Sequence, residues 1–263
     1  MNEYSEYLEF AKGIASYAGK IMLKYFNQDN GANYKGDKTI VTLADTEINS
    51  YLIKRVKEKY PDHCVDGEEE QFGKSDYVWV CDPVDGTAMY ARHIPVAVFS
   101  LALVIDGISV VGVVYDPFTD SLYTAIKGQG AFKNNKKIRV NDYSLEDIRT
   151  VCHCDMWSKA KYNVCNVFEE LRKVTRLNDI GSITRASCLV ATGDYSLTLF
   201  TGTEHKHCDI AAVKVIVEEA GGKVTDLFGN EQRYDRSIKG ALISNGKVHN
   251  EVVEVIKKYI IEE

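Results

Sequence analysis

The sequence has 263 residues, enough for one large domain or two halves that share a core. Its net charge of −6 and its pI near 5.6 argue against a surface that binds nucleic acid. The longest apolar run, residues 94–105, is shorter than the roughly 20 residues that a transmembrane helix needs, so no membrane association is predicted.

The cysteine content gives an expectation about the cellular compartment. Seven cysteines are an odd number, and no N-terminal signal sequence accompanies them, which favours reduced thiols and a cytoplasmic location. Two stretches contain soft metal ligands, Cys-His-Cys at residues 152–154 and His-Lys-His-Cys at residues 205–208. Neither has the paired spacing of a zinc site, so the spacing does not favour zinc.

Two helices are predicted near the N-terminus. Apolar residues recur at helical spacing over residues 4–26, which predicts an amphipathic helix. A polar break over residues 27–38 follows, and a second helix is expected to open at Thr42 and to end before Pro61. Thr42 and Asp45 have the spacing of a capping box.

The stretch after residue 78 ends an apolar strand on two acids, Asp82 and Asp85. Because a proline follows Asp82 and because Gly86 favours a positive φ, the strand is expected to stop and the chain to turn. Thr87 is expected to cap a short helix over residues 88–92. This turn would place both carboxylates beside helical amide groups, so a metal ion and a phosphate group would fit side by side.

The next segment predicts an antiparallel meander. Four strands are expected, joined by connections too short to hold crossover helices. This half is therefore assigned to the α+β class rather than to a doubly wound sheet. The expected strands are residues 98–105, 108–115, 121–126 and 137–140.

The second half is expected to begin near residue 145, which divides the chain into residues 1–145 and 146–263. The joining segment carries a predicted helix over residues 162–175. Beyond it we expect a helix within residues 181–193, a strand at 195–200, a helix at 210–220, strands near Val224 and at 241–244, and a helix at 248–261.

Three motifs resemble the inositol monophosphatase family. Residues 82–87, Asp-Pro-Val-Asp-Gly-Thr, are similar to the family signature Asp-Pro-Ile-Asp-Gly-Thr. Gly-Glu-Glu at residues 67–69 precedes it, and residues 208–222 resemble the family's Trp-Asp-x-Ala-Ala … Glu-Glu-Ala-Gly-Gly block. The resemblance extends over nearly the whole chain. It implies a layered αβαβα sandwich of the inositol monophosphatase and fructose-bisphosphatase type, with two coupled halves and the meander in the first.

The resemblance also implies a Mg²⁺-dependent phosphatase with two or three ions per site and Mn²⁺ as a possible substitute. Hard cations held by carboxylates counter the charge that opposes attack on a phosphate ester. The metal ligands that it implies are Glu68, Asp82, the carbonyl group of Val84, Asp85 and Asp209.

The resemblance further implies how the reaction proceeds. Glu68 would orient the attacking water, and Asp45 and Thr87 would form the relay that takes its proton, with no covalent intermediate. The amides of Gly86 and Thr87 would hold phosphate oxygens. The implied substrate contacts are Asp85, Gly86, Thr87 and Asp209.

The residues alone leave simpler interpretations open. Aspartates before proline or glycine are common in turns without a metal, and Asp209 has the position of an ordinary helix N-cap. Asp45 fits a capping box equally well, and residues 68–70 fit a solvated acidic turn. Lys35 resembles a family lysine near the phosphate, but Lys38 competes for that assignment.

The chain departs from the family pattern near Asp209. The family tryptophan before this aspartate is Cys208 here, and the glutamate expected seven positions earlier is Gly202, with Glu204 close but out of register. Inositol specificity is therefore in doubt, and the expected substrate is a small phosphate monoester such as an inositol, sugar or histidinol phosphate. The alternatives are a nucleotide-3′-phosphatase, a fructose-bisphosphatase, or a non-catalytic regulator that binds metal or phosphate. A homodimer is expected by analogy.

Overall fold

A computed structural model describes residues 4–36, 39–155, 160–202, 207–238 and 240–261. Helices and sheets alternate in five layers, so the predicted α+β sandwich of αβαβα type is confirmed. The helices in the described residues are α1 (Ser5–Phe26), α2 (Leu43–Lys59), α3 (Thr87–Tyr90), α4 (Cys165–Leu171), α5 (Ile183–Ala191), α6 (Cys208–Glu219) and α7 (His249–Tyr259).

The first half of the chain contains a two-stranded ribbon, β1 and β2, and a mixed eight-stranded sheet in the order β10-β9-β8-β7-β6-β5-β3-β4. Strands β5 to β10 follow one another antiparallel, which confirms the meander, whereas β3 pairs parallel to β5. The bounds are β1 (Asn33–Tyr34), β2 (Ile40–Val41), β3 (Cys64–Gly67), β4 (Gln71–Phe72), β5 (Tyr77–Asp85), β6 (Val98–Ile105), β7 (Ile108–Asp116), β8 (Ser121–Ile126), β9 (Ala131–Lys133) and β10 (Lys136–Lys137).

The second half contains a five-stranded sheet in the order β12-β11-β13-β15-β14. Strand β11 pairs parallel to both neighbours, and β15 pairs antiparallel to both of its own. The bounds are β11 (Val151–Asp155), β12 (Arg176–Asn178), β13 (Leu197–Phe200), β14 (Lys223–Thr225) and β15 (Ala241–Ser244).

The outer faces of both sheets are covered by amphipathic helices. Helices α1 and α2 bury Phe10, Ile14 and Leu52 in one cluster with Trp79 and Phe99 of the large sheet. Helices α4 and α7 form the opposite outer layer on the small sheet. The helical period in these sequences therefore marks a face that packs on a sheet and a face that meets solvent.

The central layer consists of α5 and α6, packed between the two sheets. Helix α6 is apolar almost all round because both of its sides are covered, and Ile210, Ala212 and Ile216 are fully buried. A Cβ atom on Gly112 of β7 would lie 2.5 Å from the carbonyl oxygen of Ala212, so glycine allows the closest approach of helix and sheet. This shared core couples the two halves.

Two strand predictions are wrong. The strand expected at residues 137–140 is reduced to β10, and the connection expected before it contains the additional strand β9. The Ile138 amide still donates to the Ala131 carbonyl group, but that of Val140 donates to Ala220 at the end of α6, so the chain leaves the sheet for the central layer.

Strand β5 also continues through Pro83 to Asp85 instead of stopping at Asp82. Its register against β6 shifts between Asp82 and Asp85. Proline is accommodated because an irregular part of the ladder does not require its missing amide proton.

Helix boundaries are the other difference. Thr87 does not cap α3 but is its first residue, and Gly86, with φ of +91°, occupies the N-cap position. Cys208 likewise opens α6, which places Asp209 in the first turn rather than at the cap. The helix expected at residues 162–175 is limited to α4. The remaining predicted helices are confirmed with bounds that differ by a few residues, and α6 begins two residues earlier than expected.

Within the described ranges, no helix combines the length and apolarity that a membrane crossing requires.

Candidate metal and phosphate site

Four side chains from three separate segments converge at one end of the large sheet. Glu68 follows β3, Asp82 lies on β5, and Cys208 and Asp209 open α6. One ligand atom from each residue lies within 4.8 Å of those of the other three. We call this set the acidic cluster. Asp82 and Asp209 are 1% and 3% exposed, so their charges are largely removed from water.

The backbone fixes this convergence. The Glu68 amide donates to the carbonyl group of Cys81 at 3.0 Å, which ties the segment after β3 to β5. Asp82 Oδ1 accepts from the amide of Val84 at 2.9 Å, so the carboxylate follows the irregularity in β5. A register shift thus aims Asp82 at the start of α6.

Asp85 is not part of the four-residue set. Its Oδ2 accepts hydrogen bonds from the Ser182 hydroxyl and, at 3.0 Å, from the amide of Thr184 at the start of α5. Thr184 also donates its hydroxyl proton to the carbonyl oxygen of Asp209 at 2.8 Å. Helix α5 therefore connects Asp85 to the acidic cluster. Sequence reasoning missed Ser182 and Thr184, because a serine at a helix start signals only a cap.

Asp45 and Thr87 lie close together, as the relay requires. Thr87 Oγ1 donates to the Val84 carbonyl oxygen at 2.8 Å and lies 3.5 Å from Asp45 Oδ1. Asp45 also accepts from the amide and hydroxyl of Thr42, so the capping box and the contact with Thr87 coexist. The two interpretations of Asp45 are compatible.

The Asp45 carboxyl group is held near its titration point at neutral pH. Burial, assisted by the nearby charge of Glu68, raises the pKa of Asp45 to about 7, against the hydrogen bonds from Thr42. A carboxyl group with such a pKa exchanges a proton readily at neutral pH.

Of the two lysines considered for a place near the phosphate, the structure describes Lys35, whereas Lys38 lies outside the described residues. The Lys35 Nζ is 2.5 Å from Glu69 and 3.7 Å from Glu68. Lys35 thus places a positive charge beside the acidic segment.

A cavity of about 340 Å³ opens beside the acidic cluster and shares Glu68 and Cys208 with it. The Asp66 and His207 side chains are hydrogen-bonded in its wall, with 2.7 Å between Oδ2 and Nε2. Glu204 and Lys206 lie outside the described residues. The lining consists of Asp66, Gly67, Glu68, Gln71, His207, Cys208, Arg236 and Ser237.

Other side chains near the signature have structural contacts. The Tyr90 hydroxyl donates to the carbonyl oxygen of Met22 at 2.6 Å, and His93 contacts that of Phe26 at 2.7 Å. Arg185 pairs with Asp116 at 2.7 Å. His153 is buried, and its Nδ1 accepts from the amide of Ile180.

The donor set of the acidic cluster fits a divalent metal ion. Three carboxylates brought together in a buried place repel each other unless a cation lies between them. Carboxylate oxygens are the ligands that hard dications prefer, and the thiol of Cys208 adds a softer donor.

The sequence matches the family model described as Inositol monophosphatase family over residues 3–260, and the chain belongs to this family. It is therefore a phosphatase, that is, a phosphoric monoester hydrolase.

Two relatives are similar over almost their full length. A fructose-1,6-bisphosphatase/inositol-1-monophosphatase of Thermotoga maritima is 33% identical, with 97% of each chain covered. Inositol monophosphatase 1 of Solanum lycopersicum is 31% identical, with 96% of this chain and 95% of the relative covered.

Solved structures agree. The Thermotoga maritima IMPase has a TM-score of 0.85 at 30% identity, covering 97% of this chain and 98% of that one. The inositol monophosphatase from Anabaena (Nostoc) sp. has the same TM-score at 26% identity, with 98% of both chains covered.

Proposed function

We propose that this protein hydrolyses a small phosphate monoester with water as the nucleophile and Mg²⁺ as the cofactor. The observation that carries the proposal is the convergence of Glu68, Asp82 and Asp209, each with a ligand atom within 4.8 Å of the others, with Asp45 of α2 beside Thr87 of the signature turn. Two or three ions are expected, and Mn²⁺ is the expected substitute.

The residues that would hold the ions are Glu68, Asp82, the Val84 carbonyl group, Asp85 and Asp209. When bound, the ions supply positive charge to the phosphoryl group and lower the pKa of water. The protein supplies rigid carboxylates. Asp85 is held by Ser182 and Thr184, and Asp82 by the amide of Val84, so little reorganisation is needed on binding.

The protein's own proton acceptor in this proposal is Asp45, acting with Thr87. The pKa of Asp45, raised to about 7, suits a group that takes a proton from the attacking water through the Thr87 hydroxyl. Glu68 belongs to the acidic cluster and also lines the cavity, which is the position required to orient that water.

Phosphate contacts are proposed at the turn before α3, from the amides of Gly86 and Thr87 together with Asp85 and Asp209. The positive φ of Gly86 lets the backbone turn directly beside these carboxylates. The alcohol part of the substrate would occupy the adjacent cavity. Its polar lining favours a hydroxylated group such as an inositol or a sugar.

A substrate with a second anionic group is a specific alternative. Arg236 lines the cavity, and the relatives from Thermotoga maritima and Aquifex aeolicus, at 33% and 32% identity, are both fructose-1,6-bisphosphatase/inositol-1-monophosphatases. Arg236 Nε lies 3.2 Å from Asp235 Oδ1, so the arginine would have to contact Asp235 and the second anionic group of the substrate at the same time. This arginine favours a sugar bisphosphate over a nucleotide, for which no described contact argues.

The test is phosphate release by the Mg²⁺-loaded protein from inositol 1-phosphate, histidinol phosphate, a hexose monophosphate, fructose 1,6-bisphosphate and a nucleoside 3′-phosphate. We expect turnover of the polyol or sugar esters and none after removal of divalent ions with a chelator. Folded protein that binds Mg²⁺ but releases phosphate from none of them would instead favour a non-catalytic regulator.

A homodimer and a cytoplasmic location also belong to this proposal. The homodimer rests on the family resemblance, and the cytoplasmic location rests on the cysteine content. A solution mass near twice 29.5 kDa in light scattering would support the dimer, and a mass near 29.5 kDa would refute it.

A further inference from the structure

The acidic cluster contains a thiol that the proposed ligand set does not use. Cys208 is the first residue of α6 and is 2% exposed. Its Sγ lies 3.3 Å from Asp209 Oδ1 and within 4.8 Å of the ligand atoms of Glu68 and Asp82. The thiol thus has carboxylate neighbours, while Cys208 also belongs to the buried apolar cluster of the central layer.

We propose that Cys208 is a metal ligand, so that the acidic cluster binds a thiophilic dication such as Zn²⁺ through three carboxylates and one thiolate, in competition with Mg²⁺. The proposal rests on the proposed function in that the same carboxylates hold an ion. It goes beyond it in naming a fourth ligand and a different class of metal. The thiol gives up its proton to solvent when the S–metal bond forms.

The geometry is compatible with one four-coordinate ion. Zinc bonds of about 2.0–2.3 Å hold tetrahedral ligand atoms about 3.3–3.7 Å apart. The limit of 4.8 Å in this structure exceeds that spacing by about 1 Å, a shift that side-chain rotation provides. Because the four donors come from three separate segments, the sequence does not show the paired ligand spacing that is typical of a zinc site.

The chemistry of the donor set predicts the preference. Mg²⁺ prefers hard oxygen ligands and keeps several waters, whereas a thiolate favours Zn²⁺, Co²⁺ or Cd²⁺. The cavity beside the acidic cluster also carries a nitrogen donor. His207 lines the same cavity and is 5% exposed, and within the described part of the chain its buried Nδ1 has no hydrogen-bond partner.

The experiment uses Co²⁺ as a spectroscopic probe on metal-free full-length protein. A Co²⁺–thiolate bond gives an intense near-ultraviolet charge-transfer band, which a site made only of carboxylates lacks. We expect this band in the wild type and its loss in Cys208→Ser. The matched control is Cys165→Ser, in which an exposed cysteine of α4 is changed and the band should persist. Zinc affinity, measured by competition with a chelator, should fall at least about tenfold in Cys208→Ser only.

A second measurement uses the wild type alone and does not depend on how the variant folds. Alkylation of Cys208, followed by peptide mapping, should be slowed by Zn²⁺ and not by Mg²⁺ at matched occupancy. A wild-type Co²⁺ complex without the band, or a band that survives in folded Cys208→Ser, would overturn the proposal. Failure of the proposed function is distinguishable, because it would appear as lack of Mg²⁺-supported phosphate release whatever the Co²⁺ spectrum.

Discussion

At the scale of single residues, Asp85 shows how a side chain is prepared for a charged ligand. The Ser182 hydroxyl and the Thr184 amide both donate to its Oδ2, and the side chain is 6% exposed. A carboxylate that accepts two hydrogen bonds cannot rotate freely. Asp85 therefore has the fixed position that metal binding requires.

Replacing Asp85 by Asn should abolish Mg²⁺-supported turnover while preserving the fold, because the charge is lost with almost no change in volume. Loss of a metal ligand removes about 3 kcal/mol or more of transition-state stabilisation, so kcat/KM should fall by more than about 100-fold. The control is Asp62→Asn, which changes an exposed carboxylate in the turn after α2 and should leave kcat/KM unchanged. Full activity in Asp85→Asn would show that the ligand assignment is wrong.

His249 gives a pH dependence of stability. It is buried at the start of α7, with Nε2 2.9 Å from Thr225 Oγ1 and Nδ1 2.8 Å from Ser244 Oγ. Burial, with smaller contributions from Lys223 and Lys214, lowers the pKa of His249 to about 4. In the unfolded chain this histidine has its ordinary pKa of about 6.5. As the pH falls from about 6.5 to about 4, the unfolded chain therefore binds a proton that the folded chain does not bind, and the folded state loses stability.

We therefore expect the free energy of unfolding, from urea titration, to be lower at pH 5 than at pH 7.5 because of this residue. In His249→Gln the difference between the two pH values should shrink. Part of the difference should remain, because burial also lowers the pKa of His153 to about 4. An unchanged difference in the variant would contradict the assignment to His249.

At the scale of elements, the turn between β5 and α3 decides whether the two halves meet at the site. A Cβ atom on Gly86 would lie 2.9 Å from the carbonyl oxygen of Gly181, and this glycine has φ of +91°. Gly128 has a similar φ of +80°, but a Cβ atom there would have nothing within 4 Å. Comparing alanine substitutions at Gly86 and Gly128 therefore distinguishes the cost of a left-handed backbone from the cost of a clash between two segments.

We expect Gly128→Ala to cost about 1–2 kcal/mol through the left-handed backbone alone, with activity retained. Gly86→Ala should cost more, because the backbone of Gly181 must move, and should lose activity because Ser182 moves with it. Urea titration and phosphate release measure the two effects. Equal stability losses with equal activities would show that the approach of the two segments does not matter.

At the scale of the whole molecule, the two halves share one core. Val80 and Ala102 from the large sheet lie in the same buried cluster as Ile210 of α6 and Ile243 of the small sheet. We propose that the boundary between the halves falls near residue 145. Because burial in α6 serves both sheets, neither half is expected to be stable without the other.

The two halves should therefore unfold in one transition. Cys81 in β5 and Cys152 in β11 are both fully buried and report on different halves. Thiol labelling in urea, read by peptide mapping, should give the same midpoint for both cysteines. A lower midpoint for one of them would mean that its half unfolds independently.

Local pattern was sufficient for much of the fold. The apolar periods of α1 and α2 and the short connections of the meander depend on neighbouring residues, so they can be recognised in the sequence. The ends of strands β5 and β10 could not be predicted as well from the sequence. Whether a strand continues through Pro83 or ends after Lys137 depends on partners elsewhere in the chain.

The sequence by itself determined the family, the fold class and the acids of the signature, because these follow from residue types at short spacing. Only the tertiary structure decided that Ser182 and Thr184 hold Asp85, that Cys208 joins Glu68, Asp82 and Asp209, and that a cavity opens beside them. Such contacts join residues far apart in the chain. Their formation depends on the packing of α5 and α6 between two sheets, which no local pattern encodes.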